Sequence, residues 1–431
     1  MDRTVFSHSH PRRPGAARRF GAALVAMLAA LLLPATPAAA DRYRDDQWHL
    51  RLYDAASAWR LSTGSGVVVA VLDSGVDATH PDLAGQVLPG RDLVEGWRDG
   101  TTDPVGHGTT VASLIAGRSD DQAGIAGLAP AAKILPVRVL DRDNKYDDAA
   151  VVADGLRWAV DRGARVVNLS LGGIGRSQAL AAAISYATAH DVVVIACTGN
   201  VTPGAGGSEV WYPAREPGVV AVAGLAWSGG SGSGGAGGSD GQTLWHGSLT
   251  GPQTVLSAPA VDLQGARPGG YWRVQGTSFA APMVAAAAAL VRSRYPDMSA
   301  ANVINRLIVT ARDMGPEGRD DRYGYGQLDL VAALTAAVTE VSANPLVAER
   351  PTGPGSRQGW SASRRDGRET GGGTVGLGTQ GTETEPSSDL AVRSGAPRGV
   401  GGMPADVAVG LLAVVMLLAA GVALSRHAHR L

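Results

Sequence analysis

One cysteine in 431 residues, Cys197, excludes an internal disulfide, so the folded part of this chain must hold itself together by packing. Charge is scarce and nearly cancels. Charged residues make up 18% and the formal net charge is −1, which leaves no bulk field to attract nucleic acid or an acidic lipid surface. No nucleic-acid partner is therefore expected. Clustered metal-ligand spacing is missing as well: His49, His80, His190 and His246 stand too far apart in sequence for a zinc site, and surface or local hydrogen-bonding roles suffice for them. Neither a metal nor another cofactor is called for.

Glycine is abundant, at 59 residues roughly twice its usual share of about 7%, and it divides between tight turns and low-complexity stretches. At the N-terminus, Arg12, Arg13, Arg18 and Arg19 precede an apolar run from Phe20 to Leu33 and then "PATPAAA". This is the pattern of a secretory signal peptide over residues 1–40, with the Ala38-x-Ala40 pair setting cleavage before Asp41. The run is short for a membrane anchor, and the paired arginines also suit a twin-arginine route. Residues 41–66 follow as an extension, too short to fold as a separate chaperone and expected to pack permanently on the domain behind it.

From 342 to 405 the chain turns to Gly, Pro, Ser, Thr and charge without apolar periodicity, the composition of a disordered linker with a span of roughly 45 Å. It leads to Val407–Leu424, eighteen residues without a charge, so a transmembrane helix is expected over 406–425. Arg426, His427, His429 and Arg430 put the tip, 426–431, on the cytoplasmic side and the rest of the mature chain outside the cell.

Between these ends, residues 67–341 alternate apolar β-branched runs with helical patterns. "VVVAVL", "KILPVRVL", "RVVNLSL", "DVVVIAC" and "VVAVAGL" read as buried strands; "AAVVADGLRWAVDRG" and "SQALAAAISYATAHD" carry apolar residues at helical spacing. The pattern predicts an α/β domain around a mainly parallel sheet with helices on both faces. "SGGSGSGGAGGSDGQ", Ser228–Gln242, reads as a flexible surface insertion. Such a fold assigns no function by itself.

The chemistry lies in three short stretches. "GTSFAAPMVA" places Ser278 among small residues at the start of a helical run, where a helix N-terminus favours developing negative charge; an isolated serine there would equally suit an N-cap. "VVVAVL" runs into "DSGVD", which puts Asp73 at the carboxyl end of a parallel strand, where open α/β sheets build their sites. A carboxylate so placed needs a partner, and "DPVGHGTTVASLIAG" offers His107 between two glycines. Asp73, His107 and Ser278 together make the set for acyl transfer: a carboxylate to fix the imidazole tautomer, a base, and a nucleophile. Cys197 ends an apolar strand and reads as a small buried hydrophobe.

In these three blocks and their order, Asp then His then Ser, the chain resembles the subtilisin-like serine proteases over roughly Trp48–Ala337. The resemblance implies a three-layer α/β fold and cleavage of a protein or peptide substrate through an acyl-enzyme. "VVVIACTGN" resembles the strand whose asparagine helps form the oxyanion hole, which assigns that role to Asn200, with the backbone N–H of Ser278 as second donor. "NLSLGG" resembles the segment that pairs with an extended substrate, making Ser170, Leu171 and Gly172 candidates for binding by strand addition. The sequence of signal peptide, protease, linker and single anchor, with "WHL", "LSTG" and "WYPA", is similar to the mycosins, and this implies a type VII secretion membrane complex as partner. Two features depart from those families: Thr110 stands where many subtilisin-like proteins have a second histidine, and one cysteine cannot make the disulfides frequent in mycosins.

Overall fold

The computed structural model describes residues 41–348 except 97, 121–122, 202–208 and 228–240. The expected signal peptide, transmembrane helix and cytoplasmic tip lie outside these residues, as do residues 349–405 of the expected linker and most of the Ser228–Gln242 insertion. The start of that linker is folded onto the domain instead, with a short helix at Pro345–Ala348 and Asn344 Nδ2 donating to Gly218 O at 3.1 Å. Among the described residues no helix is long and apolar enough to cross a membrane.

The predicted alternation folds into one eight-stranded sheet. Strands β1 (Val68–Asp73), β2 (Arg91–Asp92), β3 (Lys133–Arg138), β4 (Val166–Leu169), β5 (Val193–Cys197), β6 (Val220–Trp227) and β7 (Gln242–Leu244) lie in the order β2-β3-β1-β4-β5-β6-β7, and β8 (Leu256–Pro259) also pairs with β6. All pairings are parallel except β6 with β7. The central strands are buried along their length, which is why they read as unbroken apolar runs instead of alternating ones. Helices α4 (His107–Ala116), α5 (Ala149–Asp161) and α6 (Gln178–Ala189) make the crossovers. A second, two-stranded sheet pairs β9 (Leu263–Arg267) with β10 (Gly270–Val274).

Helix α7 (Thr277–Arg294) is buried from Thr277 through Arg292. Its sequence is alanine-rich and apolar all round, which suits a helix without a solvent face, and the small side chains let it lie against β4, β5, β6 and β8 and against α4. Helices α8 (Ala300–Val309), α9 (Leu330–Thr335) and α10 (Pro345–Ala348) complete the chain's described part.

The extension, α1 (Asp41–Asp45), α2 (Trp48–Leu52) and α3 (Ala55–Leu61), packs on this core. Gln47 spans the backbone of Ala126, donating to its carbonyl at 2.9 Å and accepting from its N–H at 2.8 Å. Arg44 donates to the carbonyls of Ala123, Gly124 and Arg118, and Trp59 Nε1 donates to Leu128 O at 2.9 Å. Tyr43 stacks on Tyr271 of β10 with ring centres 4.2 Å apart.

His49 lies wholly buried beneath this extension, and its Nδ1 has no hydrogen-bond partner among the described residues. Burial, with the Arg51 charge adding to it, pushes the imidazole from its ordinary 6.5 down to about 3. Between those values the unfolded chain binds a proton that the folded chain refuses. Stability should therefore fall as pH drops from 6.5 towards 3, by about 1.4 kcal/mol per pH unit from this residue. Urea unfolding at pH 7, 5 and 4 should show a flatter dependence for His49→Leu than for the wild type; equal slopes would clear His49 of the effect.

Candidate active site

Strands β3, β1, β4 and β5 are neighbours, so residues leaving their carboxyl ends gather at one edge of the sheet. Asp73, the last residue of β1, is fully buried; its Oδ1 accepts from Ser74 N at 2.7 Å and lies 2.7 Å from His107 Nδ1. A carboxylate can only accept, so Nδ1 carries the proton and Nε2 is the basic nitrogen of the ring. His107 opens α4 from a left-handed Gly106, φ 96°. The next residue must be glycine: a Cβ on Gly108 would sit 3.0 Å from Asp73 Cβ and closer still to Gly75 O. That close approach brings the first turn of α4 onto the end of β1.

A second buried carboxylate holds this turn in place. Asp103 Oδ1 accepts from Ser74 Oγ at 2.8 Å, Val105 N at 3.0 Å and Gly106 N at 2.7 Å; Oδ2 accepts from Thr109 N at 2.8 Å and Thr109 Oγ1 at 2.7 Å. Ser74 Oγ in turn accepts from Gly108 N at 3.0 Å. The exposed N–H groups of the helix start are thus taken up by residues tied to β1. Asp103 fixes His107 relative to Asp73 without touching either. The sequence reading missed it. "DP" is a turn signal, but nothing local announces that the second oxygen would anchor Thr109.

Ser278, 2% exposed, is the second residue of α7, and Gly276 is the N-cap, so the serine does not serve as the cap. Pro282, four residues on, has no N–H to give to Ser278 O. Ser170 takes that place: its hydroxyl donates to Ser278 O at 2.6 Å and accepts from Asn168 Nδ2 at 2.8 Å. The β4 edge is thereby bonded to the residue proposed to attack. Asn200 is tied to the same turn from β5, its Oδ1 accepting from Thr277 N at 3.0 Å and Thr277 Oγ1 at 2.9 Å. Its carbonyl end is committed to Thr277, so its NH₂ group points elsewhere. The His107 ring stands 5.3 Å from the Phe279 ring, next to Ser278.

The site residues read from the sequence fall into two bonded sets at this edge, set side by side by the His107–Phe279 ring contact. Asp73 and His107 are directly bonded, Asn200 and Ser170 are each bonded to the start of α7, and Leu171 and Gly172 run on from β4 between the Leu169↔Ala196 pairing and the Gly173 bridge to Tyr212. Cys197 Sγ lies 4.0 Å from Ser278 Oγ, the outer limit of a hydrogen bond to sulfur. Burial pushes the thiol up to about 11, against the pull of its Ser278 and Thr277 contacts, so at neutral pH it is no thiolate nucleophile. His190 makes a local bond to Tyr186 O, but His80 is buried and bridges elements far apart in sequence, its Nδ1 accepting from Asp82 N and its Nε2 donating to Gly270 O, so its role is neither surface nor local. Among the described residues no three His, Cys, Asp or Glu side chains cluster to hold a metal.

Residues 64–326 match the subtilase family of peptidases, Peptidase S8. Fervidolysin of Fervidobacterium pennivorans is 38% identical over 294 residues, 64% of this chain and 42% of fervidolysin; subtilisin NAT of Bacillus subtilis subsp. natto is 37% identical over 63% of this chain and 66% of its own length. The chain thus spans less than two thirds of these two relatives. Among solved structures, MycP1 with its N-terminal propeptide removed matches with a TM-score of 0.57 at 29% identity, covering 68% of this chain and 98% of MycP1. MycP3, a protease from the type VII (ESX-3) secretion system, matches with 0.55 at 32% identity, covering 67% of this chain and 88% of MycP3. The family model spans more than half of the chain, including all ten described strands and helices α4–α8, and places the chain in the subtilase family.

Proposed function

We propose that this chain is a membrane-anchored serine endopeptidase of the mycosin kind, acting outside the cell on extended protein segments. The 2.7 Å bond between Asp73 and His107 carries the reading. With Nδ1 held by the carboxylate, Nε2 takes the Ser278 proton as the hydroxyl attacks a peptide carbonyl. The imidazolium then formed faces the buried Asp73 charge, and the tetrahedral oxygen is met by the Asn200 NH₂ group and the Ser278 backbone N–H. The imidazolium passes its proton to the leaving amine, and water frees the acyl-enzyme by the same route in reverse. The segment Ser170–Gly172 holds the substrate backbone by strand addition.

Anchoring rests on the uncharged run Val407–Leu424 and the basic tip, and export on the N-terminal pattern. Likeness to MycP3 supports a place beside a type VII secretion complex. It also favours a second role, that of a scaffold in that complex. The two are separated as follows. A fluorophosphonate should label full-length protein at Ser278 and spare Ser278→Ala; absence of labelling would sink the protease reading. In a deletion strain, Ser278→Ala at normal abundance should lose substrate cleavage yet restore membrane-complex assembly and secretion. Failure to restore both would remove the scaffold role.

A further inference from the structure

We infer that Trp211 closes the pocket for the side chain on the acyl side of the scissile bond, so that cleavage follows small residues: glycine, alanine or serine. The inference rests on the protease reading above. Two backbone walls leave the sheet side by side there, residues 170–173 after β4 and 198–200 after β5. A peptide with its carbonyl carbon at Ser278 Oγ, its carbonyl oxygen towards Asn200 and its preceding residues along Ser170–Gly172 must send that side chain down between the walls.

Trp211 already stands in this gap and is fastened to both sides. Its N–H donates to Thr198 O at 2.9 Å, and the next residue, Tyr212, exchanges two bonds with Gly173, at 2.7 and 2.8 Å. The indole lies flat on Gly199: a Cβ there would come closer than 3.0 Å to Cγ, Cδ2 and Cε3 of Trp211. On the other wall, a Cβ on Gly172 would be 3.3 Å from Trp211 Cβ. Both walls give up side-chain space: at Gly199 the indole takes it, and at Gly172 the Tyr212 carbonyl, 2.6 Å from such a Cβ, and the Trp211 Cβ take it. The lips are aliphatic, with Val201 47% exposed after Asn200 and Ile174 66% exposed after Gly173, so nothing among them would pair with a charged side chain.

The test uses purified full-length protein and fluorogenic peptides that differ only in the residue before the scissile bond: Gly, Ala, Leu, Phe or Lys. The wild type should favour Ala over Phe in kcat/KM by on the order of 100-fold. Trp211→Gly, and to a smaller degree Trp211→Val, should raise the Phe-to-Ala ratio at least about tenfold. Wild-type preference for Phe, Leu or Lys overturns the inference whether or not either variant folds. So does an unchanged ratio in a variant whose Ser278 still captures a fluorophosphonate. Loss of that capture in the wild type overturns the protease reading instead, and the pocket with it.

Discussion

Ser278→Ala and His107→Ala are each expected to lower peptide turnover by on the order of 10⁶-fold, and the double variant to lose hardly more than either alone. The magnitude is that found when the same two residue types are removed from subtilisin. It follows from the division of labour: without Ser278 there is no hydroxyl to attack, and without His107 nothing takes its proton. Ser278→Ala should leave the fold intact, whereas His107→Ala leaves the buried Asp73 carboxylate without its partner and should lower the melting temperature as well. Ser278 to Ala removes one oxygen from a site whose structural ties run through its backbone carbonyl, bonded to Ser170. Steady-state assays of a single peptide with the four proteins decide the matter. Activity in Ser278→Ala above about 10⁻³ of wild type would show that another nucleophile serves, and the pairing built on Asp73 and His107 would need another purpose.

Asp73→Asn should cost about 10⁴-fold in turnover while the fold survives. Asp73 Oδ1 accepts from both Ser74 N and His107 Nδ1, and Oδ2 has no hydrogen-bond partner among the described residues. An asparagine can settle in two ways, and each fails. With its oxygen kept towards Ser74, the imidazole keeps its tautomer, but no charge offsets the imidazolium and a buried NH₂ is left without an acceptor. Flipped, it sets NH₂ against Nδ1, forces the proton to Nε2 and removes the base. Loss of less than tenfold, with an unchanged melting profile, would mean that Asp73 holds His107 in place without contributing electrostatically.

Much of this was legible because the chemistry is written in contiguous blocks. "VVVAVL" followed by an aspartate states both a buried strand and the residue at its end, and "GTSFAAPMVA" states a serine on a helix that tolerates no bulk. What escaped was the set of ties between blocks. Asp103 and Thr109 meet over a turn, but Ser74, almost thirty residues away, closes their network only through tertiary contact. The bond from Ser170 to Ser278 O spans 108 residues, and its need arises from Pro282, whose missing N–H is visible in sequence while its substitute is not. The β9–β10 hairpin was likewise unmarked: its alternation is weak, and its place comes from packing on α4 and stacking with Tyr43. Trp211 was noticed only as part of a short family match, since its meaning depends on the two glycines it lies between.

Helix α7 bears on how this protein fails. The proposed nucleophile sits at the head of an element with no outer face, wedged between the sheet and α4. Elements that fray in native proteins are those with few buried contacts and solvated hydrogen bonds, and α7 has neither weakness. Displacing Ser278 therefore requires opening the core itself, so loss of catalysis and loss of the fold become one cooperative event. On the proposed chemistry, partial melting that reaches α7 should silence the site as it loosens the core, so fluorophosphonate labelling and tertiary signal should be lost together on heating.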